Sequence, residues 1–290
     1  MQKYIDIIIN SYGGYFYYLI DEIMHLRWGN YFYALIFISL FVFSLELIFP
    51  WRKTQPIFRD GFWLDVFYMF FNFFLLNLII LIALSNVASQ LFESFLGLFG
   101  MSLISIQLFD INKIIFPLGL VIFFLITDFI QWLTHILLHR SPFLWQFHKV
   151  HHSVIQMGFA AHLRYHWVEP VVYKSILYIP VALIGGFQVE HIFWVHLFSI
   201  LIGHLNHANV SLDYGLFKYI LNNPKMHIWH HAKKLPNHYG VNFGISLSIW
   251  DYLFRTNYLP YSGRDIPLGF EGDEHFPTDF IGQELLPLKK

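Results

Sequence analysis

Long apolar runs separated by short polar stretches make up most of the first two thirds of the chain. Three of these runs contain almost no charged residues, and they cover residues 31–49, 62–83 and 114–138. The hydrocarbon core of a bilayer is about 30 Å thick, so a helix needs about 20 apolar residues to cross it. A single run of this kind is also compatible with a buried core helix, but three of them together predict membrane-spanning helices.

Two shorter apolar runs, residues 171–184 and 192–205, follow and are separated by Gly185 and Gly186. They predict a hairpin that either spans the bilayer or re-enters it from one side. The expected fold class is therefore all-α: an integral membrane helical bundle of about four to five membrane helices, with a histidine-rich cytoplasmic cap. This pattern contains no strand-like alternation of apolar and polar residues.

We expect a single domain over residues 1–290, because no polar linker, repeat or low-complexity tract divides the chain. Residues 1–29 mix charges with aromatic side chains and predict an interfacial segment. Residues 30–205 contain the predicted membrane helices and the first histidine motifs. Residues 206–290 form the predicted cytoplasmic cap and C-terminal tail.

Basic residues are distributed unevenly between the predicted loops. The loop after the first run contains Arg52, Lys53 and Arg59, whereas residues 85–112 contain no Lys or Arg. Cytoplasmic loops of membrane proteins carry an excess of Lys and Arg. The histidine-rich regions are therefore predicted to face the cytoplasm, and we favour a bacterial inner membrane over the endoplasmic reticulum.

The composition narrows the possible functions further. The chain is 56% hydrophobic and only 13% charged, with a mean hydropathy of +0.50, whereas soluble domains carry about 25% charged residues. A net charge of −1 argues against a nucleic-acid partner, which would need a basic surface. The absence of cysteine excludes thiolate nucleophiles, disulfides and cysteine-ligated clusters.

Histidine is the most unusual feature of the composition. There are 17 histidines against 18 Lys and Arg together, and only His25 and His275 lie outside residues 135–238. Many recur at intervals of three or four, which places them on one face of a helix. Because one ion takes about six ligands at most, ten such imidazoles predict two metal ions, which iron, zinc, copper and nickel all suit. The ten predicted ligands are His135, His139, His148, His151, His152, His204, His207, His227, His230 and His231.

Several motifs surround these histidines. They are DFIQWLTH at 128–135, HRSPFLWQFHKVHHS at 139–153, RYHWVE at 164–169, HAN at 207–209, PKMHIWHH at 224–231, NFG at 242–244 and WDYLFRT at 250–256. Together they resemble the fatty acid hydroxylase / sterol desaturase superfamily of integral-membrane, non-haem di-iron enzymes. The resemblance covers about residues 50–258, although Trp167 stands where that family usually has Pro, and Arg255 where Gly is common.

The resemblance implies an enzyme that uses O2 and external electrons to hydroxylate a C–H bond of a lipid or sterol. Desaturation and ether-lipid monooxygenation at the same site are the alternatives. It also implies two iron ions, for which zinc can substitute in purified protein, and a lipid-soluble substrate. No dinucleotide or flavin motif is present, so a separate electron-donor reductase of ferredoxin or cytochrome type is expected.

Other polar residues in the motifs are candidates to orient the ligands rather than to bind metal: Asp128, His166, Asn209, Asn242 and Asp251. Asp128 precedes His135 by two helical turns, so it either accepts an imidazole N–H or makes a helix-packing hydrogen bond. Arg164 and Glu169 are predicted to form an ion pair. No catalytic residue beyond the metal ligands is predicted.

Two hypotheses from other classes compete with the enzyme. A histidine-rich metal transporter would place its ligands near the bilayer midplane, whereas these motifs lie at the ends of predicted spans and in the cap. A membrane interaction protein with structural zinc would not need ten ligands.

Overall fold

The computed structural model describes residues 2–237 and 239–289, and within them the chain is helical, without a named strand. We number the α-helices in chain order. They are α1 Gln2–Met24, α2 Tyr31–Ile48, α3 Phe62–Gly97, α4 Phe116–Arg140, α5 Pro142–His152, α6 Val168–Ile184, α7 Val189–His207, α8 Pro224–His230, α9 Ile249–Leu253 and α10 Phe280–Leu285. The all-α class predicted from the apolar runs is confirmed.

Within the described residues, three helices are long and apolar enough to cross a membrane: α2, α3 and α4. They contain most of the three long apolar runs. The chain is thus an integral membrane protein, while the total of four to five membrane helices stays a prediction.

Helix α3 is longer than its apolar run predicts, because it continues to Gly97 instead of ending near residue 83. The added part is more polar, and Asn86 donates a hydrogen bond of 2.8 Å to the Ser11 hydroxyl on α1. Midway, Phe71–Leu75 and Asn77–Leu81 form π-helical turns. Such turns widen a helix locally and are common at functional sites.

The two shorter apolar runs form α6 and α7, which have 17 and 19 residues and both pack against α4; a hairpin that spans or re-enters the bilayer stays a prediction. Gly185 and Gly186 connect them with φ angles of 55° and 71°. A Cβ on Gly186 would lie 1.8 Å from an Asp110 carboxylate oxygen. Glycine is therefore needed in this turn for its backbone conformation and for its small size.

A buried charged network joins the start of α3 to the segment before α6. Asp65 accepts hydrogen bonds from Arg59 and from Arg164, the latter at 3.0 Å. All three side chains are almost fully buried. The predicted Arg164–Glu169 pair is wrong, because Arg164 forms its ion pair with Asp65. Glu169 contacts a different residue.

The C-terminal segment returns to the membrane helices. Phe280 on α10 packs its ring against Phe67, Tyr68 and Phe71 of α3. Glu284 accepts a hydrogen bond of 3.0 Å from the Tyr68 hydroxyl. This contact holds the cap against the bundle, next to the histidine-rich helices.

Candidate metal centre

Nine histidines come together in two groups where α4, α5, α7 and α8 meet. In each group the candidate ligand atoms lie within 4.8 Å of one another. The first group is His135, His139, His148, His152 and His230, and the second is His151, His207, His227 and His231. All are buried except His139, which is half-buried. Since α5 and α8 each contribute to both groups, the two sites lie side by side.

Hydrogen bonds fix the ring orientation of five of these histidines. In each, Nδ1–H donates to an oxygen that can only accept, which leaves the lone pair on Nε2. The pairs are His135 to Phe243 O (2.8 Å), His148 to Glu169 Oε2 (2.8 Å), His151 to Arg164 O (3.0 Å), His207 to Gly203 O (2.8 Å) and His230 to Val241 O (2.8 Å). Outer hydrogen bonds of this kind are typical of metal-ligating histidines.

The Nε2 atoms of these rings face one another at short range. His135 Nε2 lies 3.1 Å from His148 Nε2, and His207 Nε2 lies 3.3 Å from His151 Nε2. In both pairs the only N–H is already used on Nδ1, so two lone pairs face each other with no proton between them. Two nitrogens bound to one ion at about 2.1 Å lie about 3.0 Å apart at a right angle. The residues therefore fit a bound cation.

The Nε2 atom of His230 supports the same fit. It is buried and has no hydrogen-bond partner among the described residues, although its Nδ1 is bonded. A buried polar atom without a partner is costly. A metal ion within the first group would satisfy it.

Burial also keeps the imidazoles in the form that binds metal. It lowers the pKa of His148, His152 and His231 well below the ordinary value of 6.5, and neighbouring imidazoles lower it further. Burial likewise lowers the pKa of His151 to about 4. These rings are therefore neutral at pH 7, which is the protonation state a metal requires.

Backbone carbonyls of residues 241–246 accept hydrogen bonds from His135 and His230, and three predicted polar residues hold this loop. Asp251 accepts from the backbone N–H groups of Phe243 and Gly244 at 2.9 and 2.8 Å. Asn242 donates to Met226 O at 2.8 Å. Asp128 accepts from Ser246 N at 3.1 Å and from Trp250 Nε1 at 2.8 Å.

Of the two alternatives for Asp128, the structure shows packing hydrogen bonds, to Ser246 N and to the Trp250 ring, rather than a bond to an imidazole. Asp251 and Asn242 likewise act on the backbone beside the ligands. Asn209 bonds to the backbone of Arg52 instead: its side-chain oxygen accepts a hydrogen bond from Arg52 N at 2.8 Å.

His166 also bonds outside the two groups. Its Nε2–H donates to Glu284 O at 2.9 Å, and its Nδ1 accepts from Val168 N at 3.1 Å. One ring nitrogen therefore bonds to the C-terminal segment and the other to the start of α6. The side chain joins α10 to the start of α6.

His204 is the one predicted ligand that the structure does not bring into either group. Its Nε2 lies 3.0 Å from the Ser39 hydroxyl, and its Nδ1 lies 2.9 Å from His162 Nδ1. His162 was not predicted from sequence: it precedes His166 by four residues but lies outside the motifs that surround the other histidines. It packs against His207 with ring centroids 5.5 Å apart. Gly203 makes room for it, as a Cβ there would lie 2.1 Å from His162 Nε2.

A cavity of about 300 Å3 opens beside both groups and reaches His135 and His148 of the first. A second cavity of about 570 Å3 extends towards α1, α2 and α3. The residues that line both cavities are Gln131, His162, Tyr165, Pro170, Lys174, His196 and Ile245. The larger cavity is rich in aromatic side chains, which suits an alkyl chain.

Comparison with known proteins agrees with this site. Residues 120–256 match the family model described as fatty acid hydroxylase. The ornithine lipid hydroxylase OlsE of Rhizobium tropici is 32% identical over 155 residues, which cover 53% of this chain and 45% of that protein. Human alkylglycerol monooxygenase is 33% identical over 137 residues, which cover 46% of this chain and 29% of that protein.

A third relative is the very-long-chain aldehyde decarbonylase GL1-10 of Oryza sativa subsp. japonica. It is 27% identical over 141 residues, which cover 48% of this chain and 46% of that protein. The chain thus spans less than half the length of these curated relatives. No solved structure matches the chain. The matched segment, residues 120–256, contains both histidine groups, and over this segment the chain is similar to the fatty acid hydroxylase family.

Proposed function

We propose that this protein is an O2-dependent lipid hydroxylase with two iron ions, held by the five histidines of the first group and the four of the second. The observation that carries the proposal is the pairing of unprotonated Nε2 atoms at 3.1 and 3.3 Å. Imidazole nitrogen suits iron, and zinc can occupy the same ligands in purified protein.

The bound irons would supply the reduction of O2 and the oxidation of an unactivated C–H bond. The net reaction consumes a lipid C–H, O2, two electrons and two protons, and yields the alcohol and water. The electrons come from a separate reductase of ferredoxin or cytochrome type. The chain's own part is to hold the nitrogen lone pairs in place and to position the alkyl chain against Tyr173, Leu177 and Ile245 in the smaller cavity.

Oxidation of an ether-linked alkyl carbon is the second candidate function, and the alkylglycerol monooxygenase relative favours it. We further propose that the histidine groups face the cytoplasm in a bacterial inner membrane, and that the whole chain acts as one domain. The distribution of Lys and Arg supports the orientation. The bacterial source of the ornithine lipid hydroxylase supports the membrane.

The test uses protein expressed with iron and assayed with 18O2, a reductase system and extracted lipids. His148→Ala and His231→Ala each remove an imidazole from one group, so both should abolish 18O-labelled product and lower the iron content. His275→Ala changes an exposed histidine outside the groups and should retain activity and iron. Full activity in the two site variants, or turnover without an electron donor, would refute the proposal.

A further inference from the structure

Lys174 is a cation in an unusual place. It lies on α6, five residues after Glu169, and it lines both cavities. Its ammonium donates to the Asn77 side-chain oxygen at 3.0 Å. No carboxylate in residues 2–237 and 239–289 forms an ion pair with it. Its one polar partner is thus a neutral amide.

The ammonium of Lys174 is exposed and lies against α3, one of the helices that are long and apolar enough to cross a membrane. Asn77 lies fifteen residues after Phe62 in α3, which is about 22 Å along a helix at 1.5 Å per residue. The hydrocarbon core is about 30 Å thick. A charged side chain within it is costly unless it is paired, and such residues mark substrate or ion pathways.

Lys174 lies where the two cavities meet. Gln131 and His196 also line both cavities there. On one side the smaller cavity leads to the histidine groups, and on the other the larger one is walled by Tyr18, Phe73 and other apolar or aromatic side chains. The π-helical turn that contains Asn77 forms part of that wall. Lys174 therefore stands between a reaction chamber and a space for an alkyl chain.

We infer that Lys174 pairs with an anionic group, a carboxylate or a phosphate, of the lipid that this enzyme oxidises. The inference rests on the proposed function and specifies its substrate class. Glu169 contacts His148 directly, and five helical residues separate it from Lys174, a rise of about 7.5 Å. The oxidised carbon thus lies close to the anionic group rather than at the far end of the chain.

The test measures binding, which needs neither O2 nor electrons. Radiolabelled palmitate and methyl palmitate are bound to the iron-loaded protein in a neutral detergent, and dipalmitoyl phosphatidic acid and dipalmitoylglycerol form a second pair. We expect the protein to prefer the anionic member of at least one pair by tenfold or more. The pair that shows the preference identifies carboxylate or phosphate as the group.

Lys174→Met should remove that preference, because it should weaken the binding of the anionic lipid only. Lys174→Arg, which keeps the positive charge, should retain the preference. Lys234→Met, on the exposed surface of the cap, serves as the matched control and should change nothing. Iron content shows that each variant is folded. The inference would be overturned if the wild type bound the anionic and the neutral member equally in both lipid pairs. It would also be overturned if folded Lys174→Met lost binding of the anionic and the neutral lipid to the same extent. Anion-selective binding without turnover would refute the proposed function alone.

Discussion

At the scale of single residues, Glu169 is the clearest case of a side chain that acts through another. It accepts the Nδ1 proton of His148 at 2.8 Å and so directs the Nε2 lone pair towards His135. Removing such a partner typically weakens metal binding 10- to 100-fold. We expect Glu169→Leu to lose iron affinity by that factor.

Glu169→Gln is the matched control, because its side-chain oxygen can still accept the proton from His148. Its iron affinity should stay within a few-fold of the wild type. Competition with a calibrated chelator measures both variants. If the leucine variant bound iron as tightly as the wild type, Glu169 would have no part in orienting the ligand.

How far a sequence predicts a site of this kind is clearest for His204 and His207. Both belong to one helical motif, and spacing alone offers both as ligands. Three residues correspond to 300° of helical rotation, so the side chains point about 60° apart. Which of the two joins the second group depends on how α2 and the segment Phe159–Leu163 pack against this helix. Ser39 of α2 and His162 of that segment contact His204, so His207 is the one that joins the group. Partners this distant along the chain produce no pattern in the sequence around His204.

At Arg255, by contrast, the residue type that is common in the family does predict the backbone conformation. Gly is common at this position in the family that the sequence resembles. In the structure Arg255 has a φ of 58°, in the left-handed region that favours glycine. The family preference thus has a conformational explanation.

At the scale of elements, α10 depends on the protonation of Glu284. Burial raises the pKa of this carboxyl to about 7 from 4.5. The folded chain therefore binds the proton more tightly than the unfolded chain does. This contribution to stability is fully present below pH 4.5 and is lost as the pH rises to about 7, with a total of about 3 kcal/mol.

The buried histidines have lowered pKa values and contribute the opposite trend, so the test compares the wild type with Glu284→Gln, which has no titrating group. We expect the melting temperature of the wild type in detergent to fall relative to that of Glu284→Gln between pH 5 and pH 7.5. Glu271→Gln, at an exposed position, should follow the wild-type pH profile. An identical pH profile in wild type and Glu284→Gln would show that other groups govern the transition.

The elements themselves differ in how well apolar runs predict them. The apolar runs predicted α2 and α4 closely, because a long run of apolar residues favours a helix in lipid by its composition alone. The end of α3 was missed by fourteen residues, from 83 to 97. Its last turns are stabilised by polar contacts with α1, such as Asn86 with Ser11, and these depend on a helix far away in the sequence.

At the scale of the whole molecule, the natural absence of cysteine makes the topology directly testable. A single cysteine at Lys234 reports on the cap, and one at Ser102 reports on the loop without Lys or Arg. Because basic loops stay cytoplasmic, we expect a membrane-impermeant thiol reagent added to intact cells to label Ser102→Cys only. Both positions should react after lysis. Labelling of Lys234→Cys from outside would reverse the proposed orientation.

The two histidine groups share their supports, since α5 provides His148 and His152 to one and His151 to the other, and α8 divides its histidines in the same way. We expect that an ion bound in one group would restrict the rotation of both helices and so order the ligands of the neighbouring group. Most of the conformational entropy would then be lost when the first ion binds, and the second ion would bind to ligands that are already ordered. We expect cooperative loading: a preparation with an average of one ion per chain is mainly a mixture of empty and doubly occupied molecules. A stoichiometry of one in a bulk measurement would therefore describe a population and not a mononuclear protein.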